Sequence, residues 1–447
     1  MLNYVWLGLI VLAVLIGGWE GHLKEVADQS FEMAEFAVIK TAFPLIGIMA
    51  FWLGLMRLAE RGGLVTVLAR VLRPILCWLF PEVPAEHPAM GSMVMNIAAN
   101  MLGLGNAATP LGLRAMKDLE SLNLRPGTAT NAMCTFLAIN TSSVQIVPVT
   151  TMAILAANHS ANPAAIVGTS LIATACACGS GVLTARLFAK SPFFKVAGTP
   201  PPAAAAAVPG NNETAAAEKS SLKEAADLKP LRWWGVVILA AFVLFFGWLF
   251  LHSVFFATGG GAGPVPSPFI RVVDSISLLL IPFLIAVFPL YAVLRGIKVY
   301  EEFVDGAKEG FDVAIRIIPY LVAMLCAIGI FRAAGGIDLL SRWFGPVLHW
   351  IGFPTELLPM VLMRPLSGSG TLGMFTELVK QFGPDSLIAR TAGTIYGSTE
   401  TTFYVLVVYF GSVAVKRTRY AVIAGLTADA IGVIVSIIVC RAVFGLS

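Results

Sequence analysis

Charge is scarce in this sequence. Lys, Arg, Asp and Glu make up 13% of its 447 residues, against roughly a quarter in soluble domains. So little charge cannot clothe a water-facing surface, and the mean hydropathy is +0.82. Several stretches of about twenty apolar residues are long enough to span hydrocarbon. The short alternating segments of a β-barrel are missing. The expected class is an all-α polytopic membrane protein.

Other absences narrow the function. There are five histidines, scattered, with neither an HExxH motif nor paired spacing, so no metal centre is expected. The six cysteines (Cys77, Cys134, Cys176, Cys178, Cys326, Cys440) sit in apolar segments. Cys176 and Cys178, two apart, point to different faces of a helix. They read as small hydrophobes rather than a disulfide or metal site. No G-x-S-x-G elbow, paired catalytic carboxylates or Rossmann fingerprint occurs, so no enzyme activity and no cofactor are expected. The net charge of +4 lies in loops, where it orients the chain rather than binding nucleic acid. The N-terminus, MLNYVWLGLIVLAVLIGG, lacks a basic start and a convincing A-x-A site. It reads as a retained first span, not a signal peptide.

What is present is a chain in two halves that echo each other. RGGLVTVLARVLRPILCWLFPE (61–82) is matched by AGGIDLLSRWFGPVLHWIGFPTE (334–356). Spans are expected near 2–19, 38–58, 128–157 and 162–189, then near 231–252, 270–294, 314–334, 384–412 and 418–442. Between them lie apolar pieces broken by Gly and Pro, at 64–80, 91–116, 337–352 and 357–379. Broken pieces at matching places suggest re-entrant or discontinuous helices, tolerated at depth only where protein or a water cavity satisfies the backbone. A Pro- and Ala-rich polar stretch, 198–221, reads as a flexible tether. The division is therefore a first membrane half (1–197), a linker (198–230) and a second membrane half (231–447). Two amphipathic segments, 19–40 and 299–318, are expected to lie along the membrane surface.

The basic loops of the two halves do not match in position. VAVKRTRY (413–420) carries three basic residues, and its counterpart ANHSANPA (157–164) carries none. The first half has Arg57, Arg61, Arg70 and Arg73 after its second span, and Arg186, Lys190 and Lys195 after its last. The second half has Arg295, Lys298, Lys308 and Arg316 before the span matching that second one. Basic loops face the cytoplasm, so the halves are expected to insert in opposite directions, as an inverted-topology repeat.

Polar chemistry gathers in four clusters. In MNIAANMLGLGNAATPLG (95–112), Asn96 and Asn100 share a helix face. Gly103, Gly105, Asn106, Thr109 and Pro110 then break the helix. The counterpart, MRPLSGSGTLGMFTEL (363–378), sets Arg364 before a Ser/Gly run. That run is a plausible anion cradle, with the arginine meeting a carboxylate or phosphate, or pairing with a protein acid. The third and fourth clusters, 131–148 and 391–408, align so that Asn140, Thr141 and Ser142 fall opposite Glu400, Thr401 and Thr402. Glu400 is the most conspicuous intramembrane acid, a functional candidate by default or else a structural partner of Arg364 or Arg390. Asp274 and Asp429 are weaker candidates, each placed near a helix end.

These same residues carry a family resemblance. NMLGLGNAATPLGLRAM (100–116) resembles the signature stretch of spore maturation protein A. RPLSGSGTLGMF (364–375) and YGSTETTFYVLVVYFGSVAVKRTRYA (396–421) resemble spore maturation protein B. The resemblance implies two usually separate chains joined through the linker. It also implies membership of the nucleoside recognition, or Gate domain, group, which is similar to the inner repeats of concentrative nucleoside transporters. The expectation is a transporter-like core of two Gate-type inverted repeats in a bacterial inner membrane.

The expected solute is small and polar or anionic, with a nucleoside-like molecule as one candidate. Asn96, Asn100, Asn106, Thr109, Asn140, Thr141, Ser142 and Ser143 would line one side. Arg364, Ser367, Ser369, Thr371, Ser398, Thr399, Glu400, Thr401 and Thr402 would line the other, with Glu400 the coupling group for a proton or sodium ion. Beyond the lipid bilayer and the solute, a homo-oligomer is left open as a partner. The alternative is a scaffold or ligand sensor that does not transport.

Overall fold

The computed structural model describes residues 2–103, 105–142, 144–194, 229–256, 267–336, 339, 342 and 353–445. The tether (198–221), the broken piece 337–352 (apart from residues 339 and 342) and Ser143 lie outside the described residues. Among those described, no strand occurs, and one β-bridge joins Thr128 to Arg417.

The first half contains α1 (Leu2–Glu20), α2 (Leu23–Glu35), a π-helical segment (Phe36–Ala42), α3 (Phe43–Arg61), α4 (Leu64–Leu79), α5 (Pro88–Met101), α6 (Gly105–Glu120), α7 (Asn131–Thr141), α8 (Val149–Ala157) and α9 (Ile166–Lys190). The second contains α10 (Trp233–Phe256), α11 (Pro268–Leu294), α12 (Val299–Ala333), α13 (Leu358–Met363), α14 (Gly368–Phe382), α15 (Leu387–Ser398), α16 (Thr402–Ser412) and α17 (Ala421–Phe444). Five described helices are long and apolar enough to cross a membrane, in Leu23–Arg61, Pro163–Lys190, Trp233–Phe255, Pro268–Leu294 and Ala421–Phe444. The chain is an all-α polytopic membrane protein. α10 shows why: Leu244, Phe245, Trp248, Leu251 and Phe255 are all exposed, which is stable only where the solvent is apolar.

The two amphipathic segments are not separate surface helices. The first continues through the π segment into α3, and Leu23–Arg61 is one helical stretch of 39 residues. The second is the first half of α12, a helix of 35 residues. Their polar residues pair with neighbouring helices instead of lying flat. Arg57 pairs with Glu302 and Glu309, each at 3.3 Å, and Lys380 of α14 reaches Glu32 at 2.7 Å. Amphipathic periodicity reports a polar face; it cannot say whether that face is covered by water or by a partner helix.

Corresponding elements of the halves pack antiparallel. On α3 and α12, a Cβ at Gly54 would meet Phe303, one at Gly306 would meet Leu53, and one at Gly310 would meet Ala50. As one number rises the other falls. On α9 and α17, Gly181 faces Ala428 and Gly432 faces Ala177. Small residues let these backbones approach closely, which is how helices associate without a hydrophobic driving force. The loop before α7 meets the loop after α16, where Ala129 N–H donates to the Arg417 carbonyl at 3.0 Å and Lys416 N–H to that of Gly127 at 2.9 Å. At the other end, the loop after α8 meets the loop before α15. Asp385 accepts there from the Ser160 hydroxyl at 2.7 Å and the Ala161 N–H at 2.9 Å.

Two predictions test this packing. A Cβ at Gly432 would lie 2.6 Å from Thr399 Cγ2, whereas nothing lies within 4 Å of one at Gly411. Gly432→Leu should cost about 1–3 kcal/mol, read as a lower thermal midpoint in detergent, and Gly411→Leu should be near neutral. For Asp385, burial pushes the carboxyl up, but the Ala161 N–H, the Ser160 hydroxyl and Arg390 outweigh it and hold it below the ordinary 3.8. A lowered carboxylate stabilises above its unfolded pKa, and that contribution is lost as pH falls through the folded one. Asp385→Asn should therefore lower the midpoint at pH 7 by about a degree or two. The gap to wild type should close under acid, below the ordinary carboxylate range.

Candidate functional site

Each half contains a helical hairpin and a broken span, and the four interruptions meet. In the first half the hairpin is α5–α6, turning at Leu102 and Gly103, and the broken span is α7–α8, open from Ser142 to Pro148. In the second half the hairpin is α13–α14, turning at 364–367, and the broken span is α15–α16, open at Thr399–Thr401. Helix ends leave unsatisfied N–H and C=O groups, and here each turn closes its own half's break. Ile146 N–H donates to the Met101 carbonyl at 2.9 Å, and Phe403 N–H to that of Pro365 at 3.0 Å. The breaks also touch each other, since Glu400 N–H donates to the Thr141 carbonyl at 2.8 Å.

The helix starts correct the expected alignment. α7 is capped by Thr130 and α15 by Ser386, each hydroxyl accepting a backbone N–H. Counted from these caps, Ser142 takes the place of Ser398 and Asn140 that of Tyr396, not of Glu400. Pattern matching aligned the polar runs; the caps align the helices.

The first-half amides form a network. Asn100 Nδ2 donates to Asn140 Oδ1 at 3.0 Å, and the Tyr409 hydroxyl donates to the same oxygen at 3.3 Å. Asn140 Nδ2 turns back to the Phe136 carbonyl at 2.9 Å. Asn96 ties α5 to α6 through the Ala108 carbonyl at 2.8 Å, and its buried Oδ1 has no hydrogen-bond partner among the described residues. Thr109 is half-buried on α6. Asn106 lies in the first turn of α6, its side chain outside the described residues. Thr141 and Ser142 hydroxyls donate to carbonyls of their own helix, Ala138 and Ile139, at 3.0 and 2.8 Å. The Ser142 carbonyl accepts from Thr174 at 2.7 Å.

Arg364 fills the second-half break. Its Nε donates to Thr399 Oγ1 at 3.1 Å, Nη1 to Thr401 Oγ1 at 3.4 Å and Nη2 to the Tyr396 carbonyl at 3.0 Å. Nη2 also donates to the Thr399 carbonyl. The guanidinium stacks 4.5 Å from the Tyr396 ring and lies 4.0 Å from Glu400 Oε2. The fork thus meets the carbonyl end of α15, where the helix dipole is negative, rather than opening toward the Ser/Gly run. That run caps itself: Ser367 Oγ accepts the Gly370 N–H at 3.0 Å, Ser369 Oγ lies 3.3 Å from Ser367 Oγ, and Thr371 Oγ1 donates to the Ser367 carbonyl at 2.6 Å. The start of α14 adjoins the break, since a Cβ on Gly368 would lie 3.0 Å from Thr401 Oγ1. Glu400 stands apart in exposure, its side chain 42% accessible while that of Arg364 is 3%. Arg390 is not its partner; it reaches Asp385 at 3.3 Å.

Asp429 lies in the middle of α17, not near an end, and is buried. Thr402 Oγ1 donates to its Oδ2 at 2.5 Å, and Oδ1 is buried without a hydrogen-bond partner among the described residues. An acid centred in an apolar run of 24 residues was the sequence signal for it. Asp274, in the second turn of α11, is exposed. Ser398 Oγ lies 3.4 Å from Ser436 Oγ. Tyr396, Tyr409 and Ser436 join the site unforeseen, because aromatic and hydroxyl residues in apolar runs give no pattern of their own. A separate buried ion pair, Arg332 with Glu377, joins α12 to α14 outside this site. Among the described residues, no group of three His, Cys, Asp or Glu side chains could hold a metal ion. Cys134 and Cys440 are buried, as small hydrophobes would be, but Cys176 is exposed.

Comparison with known proteins gives a family. The Gate family, described as nucleoside recognition, matches residues 42–158 and 314–416. Both stretches hold a broken span. Spore maturation protein B of Bacillus subtilis is 46% identical over 175 residues, covering 39% of this chain and 98% of that protein. Spore maturation protein A of the same organism is 40% identical over 188 residues, covering 42% of this chain and 95% of that protein. No solved structure gives a significant match. Nearly the whole length of both relatives is accounted for within one chain, and the protein belongs to the spore maturation protein A and B family of Gate-domain membrane proteins.

Proposed function

We propose that the protein is a solute carrier of the bacterial inner membrane. It holds a small polar or anionic, nucleoside-like molecule between two inverted Gate-type repeats, with proton or sodium coupling at Glu400. One observation carries this reading: two discontinuous helices cross with their breaks in direct backbone contact, Glu400 N–H on the Thr141 carbonyl at 2.8 Å. Discontinuous helices at a repeat interface are where secondary transporters place substrate and ion, because half-helix ends offer fixed partial charges. The antiparallel packing of α3 on α12 and α9 on α17 supports inverted repeats. The basic residues at one end, Arg186, Lys190, Lys416 and Arg417 among them, support a shared cytoplasmic face. The site carries no convergent acid, base and nucleophile set, so the reading is non-enzymatic.

A second reading is favoured by how heavily Arg364 is already engaged. All three of its nitrogens already donate to protein oxygens. That suits a ligand sensor or scaffold that keeps the Gate core without carrying flux. Binding with no uptake into proteoliposomes would select it.

Two variants separate the roles at the site. Glu400→Gln should leave the thermal midpoint near wild type, because this side chain is partly exposed. It should abolish the pH or sodium dependence of nucleoside uptake into proteoliposomes; unchanged dependence would remove Glu400 from coupling. Arg364→Ala strips the donors from the Tyr396 and Thr399 carbonyls. It should cost about 3 kcal/mol, read as a lower midpoint before any transport is assayed. Arg364→Lys should recover only part of this, since an ammonium cannot reproduce the fork.

A further inference from the structure

A cavity of about 390 Å³ opens at the basic end, away from the breaks. It is lined by the end of α4 and the turn after it (Leu79–Glu82), by Asn131, Ala132 and Thr135 of α7, and by Arg186, Ala189 and Lys190 of α9. The spacing is helical. Asn131 and Thr135 are four apart, as are Arg186 and Lys190, so each pair presents one face. We propose that this cavity binds the phosphate headgroup of an anionic membrane lipid.

Several of its donors have capacity to spare. Thr135 is 7% exposed, and its hydroxyl makes no hydrogen bond among the described residues. The Lys190 ammonium has no ion-pair partner among them. Arg186 spends one nitrogen on the Trp78 carbonyl at 3.0 Å and lies 4.1 Å over the Trp78 ring. Glu82 is the opposing charge, but Asn131 Nδ2 holds its carboxylate at 2.7 Å. Behind it, Arg419 and the Tyr420 hydroxyl each donate to Asn131 Oδ1 at 2.9 Å. Arg186, Lys190 and Arg419 thus outweigh Glu82, and the balance favours an anion.

The surroundings favour a lipid over a soluble anion. Val67, Val71, Ile75 and Trp78 form an exposed apolar ridge on α4, and Leu183 and Leu187 form another on α9. Both ridges end at the cavity. Acyl chains would lie along them while the headgroup sits among the cations, with Trp78 at the boundary, where indole rings gather in membranes. Basic pockets between helices at the cytoplasmic side are suited to anionic headgroups.

The test titrates the purified full-length protein in mild detergent with dioleoyl phosphatidylglycerol, dioleoyl phosphatidylcholine or soluble glycerol 3-phosphate. The readouts are the thermal midpoint and the lipid retained in native mass spectrometry. Phosphatidylglycerol should raise the midpoint and leave one molecule bound; phosphatidylcholine should do neither. Arg186→Gln with Lys190→Gln should weaken the phosphatidylglycerol effect roughly tenfold or more. Thr135→Val, which removes only a hydroxyl and guards against a folding defect in the double variant, should weaken it by about fivefold. Lys416→Gln, a basic site outside the cavity, should leave it unchanged. Equal effects of the two lipids, or a phosphatidylglycerol effect that survives Thr135→Val and the double variant, would overturn the proposal. Glycerol 3-phosphate binding as tightly as the lipid would overturn it in favour of a soluble phosphate ligand.

Discussion

Hydrocarbon offers no hydrogen bonds, so every backbone group at membrane depth must find its partner inside the protein. The centre of this molecule depends on that constraint. Two spans are interrupted, at Ser142–Pro148 and Thr399–Thr401, and an isolated broken helix of either kind would be unstable in a bilayer. Each break survives because a hairpin turn from its own half supplies a backbone carbonyl, Met101 for one and Pro365 for the other.

The two halves solve the same problem with different side chains. The first closes its break with neutral amides, Asn100 on Asn140, joined by Tyr409 from the other half. The second uses a buried guanidinium, Arg364, against the carbonyl end of α15. A buried cation is costly unless fully hydrogen-bonded, and this one is spread over two hydroxyls and two carbonyls. The result is an asymmetric centre, with the guanidinium of Arg364 on the second half's side. Glu400, partly exposed, lies 4.0 Å from that charge.

Close packing holds the frame. Gly54, Gly306 and Gly310 bring α3 against α12, and Gly181 and Gly432 bring α9 against α17. In an apolar solvent such contacts replace the hydrophobic effect as the source of helix association.

Composition and pattern alone determined much of this protein. Low charge and long apolar runs made it a polytopic helical membrane protein, because only that class can bury so many apolar residues without a water-facing shell. Gly and Pro placed the interruptions, and the residues at the hairpin turns and breaks were legible as polar anomalies in apolar runs. The tertiary structure decided the rest. It turned two expected surface helices into the packed ends of α3 and α12, since a periodic polar face does not name its partner. It moved Asp429 from a helix end to a buried centre, and it shifted the alignment of the two broken spans from the polar runs to the caps at Thr130 and Ser386. Above all it aimed Arg364 at helix carbonyls rather than at a ligand. A sequence records which groups can hydrogen-bond, but only the folded chain settles which of them are already spent.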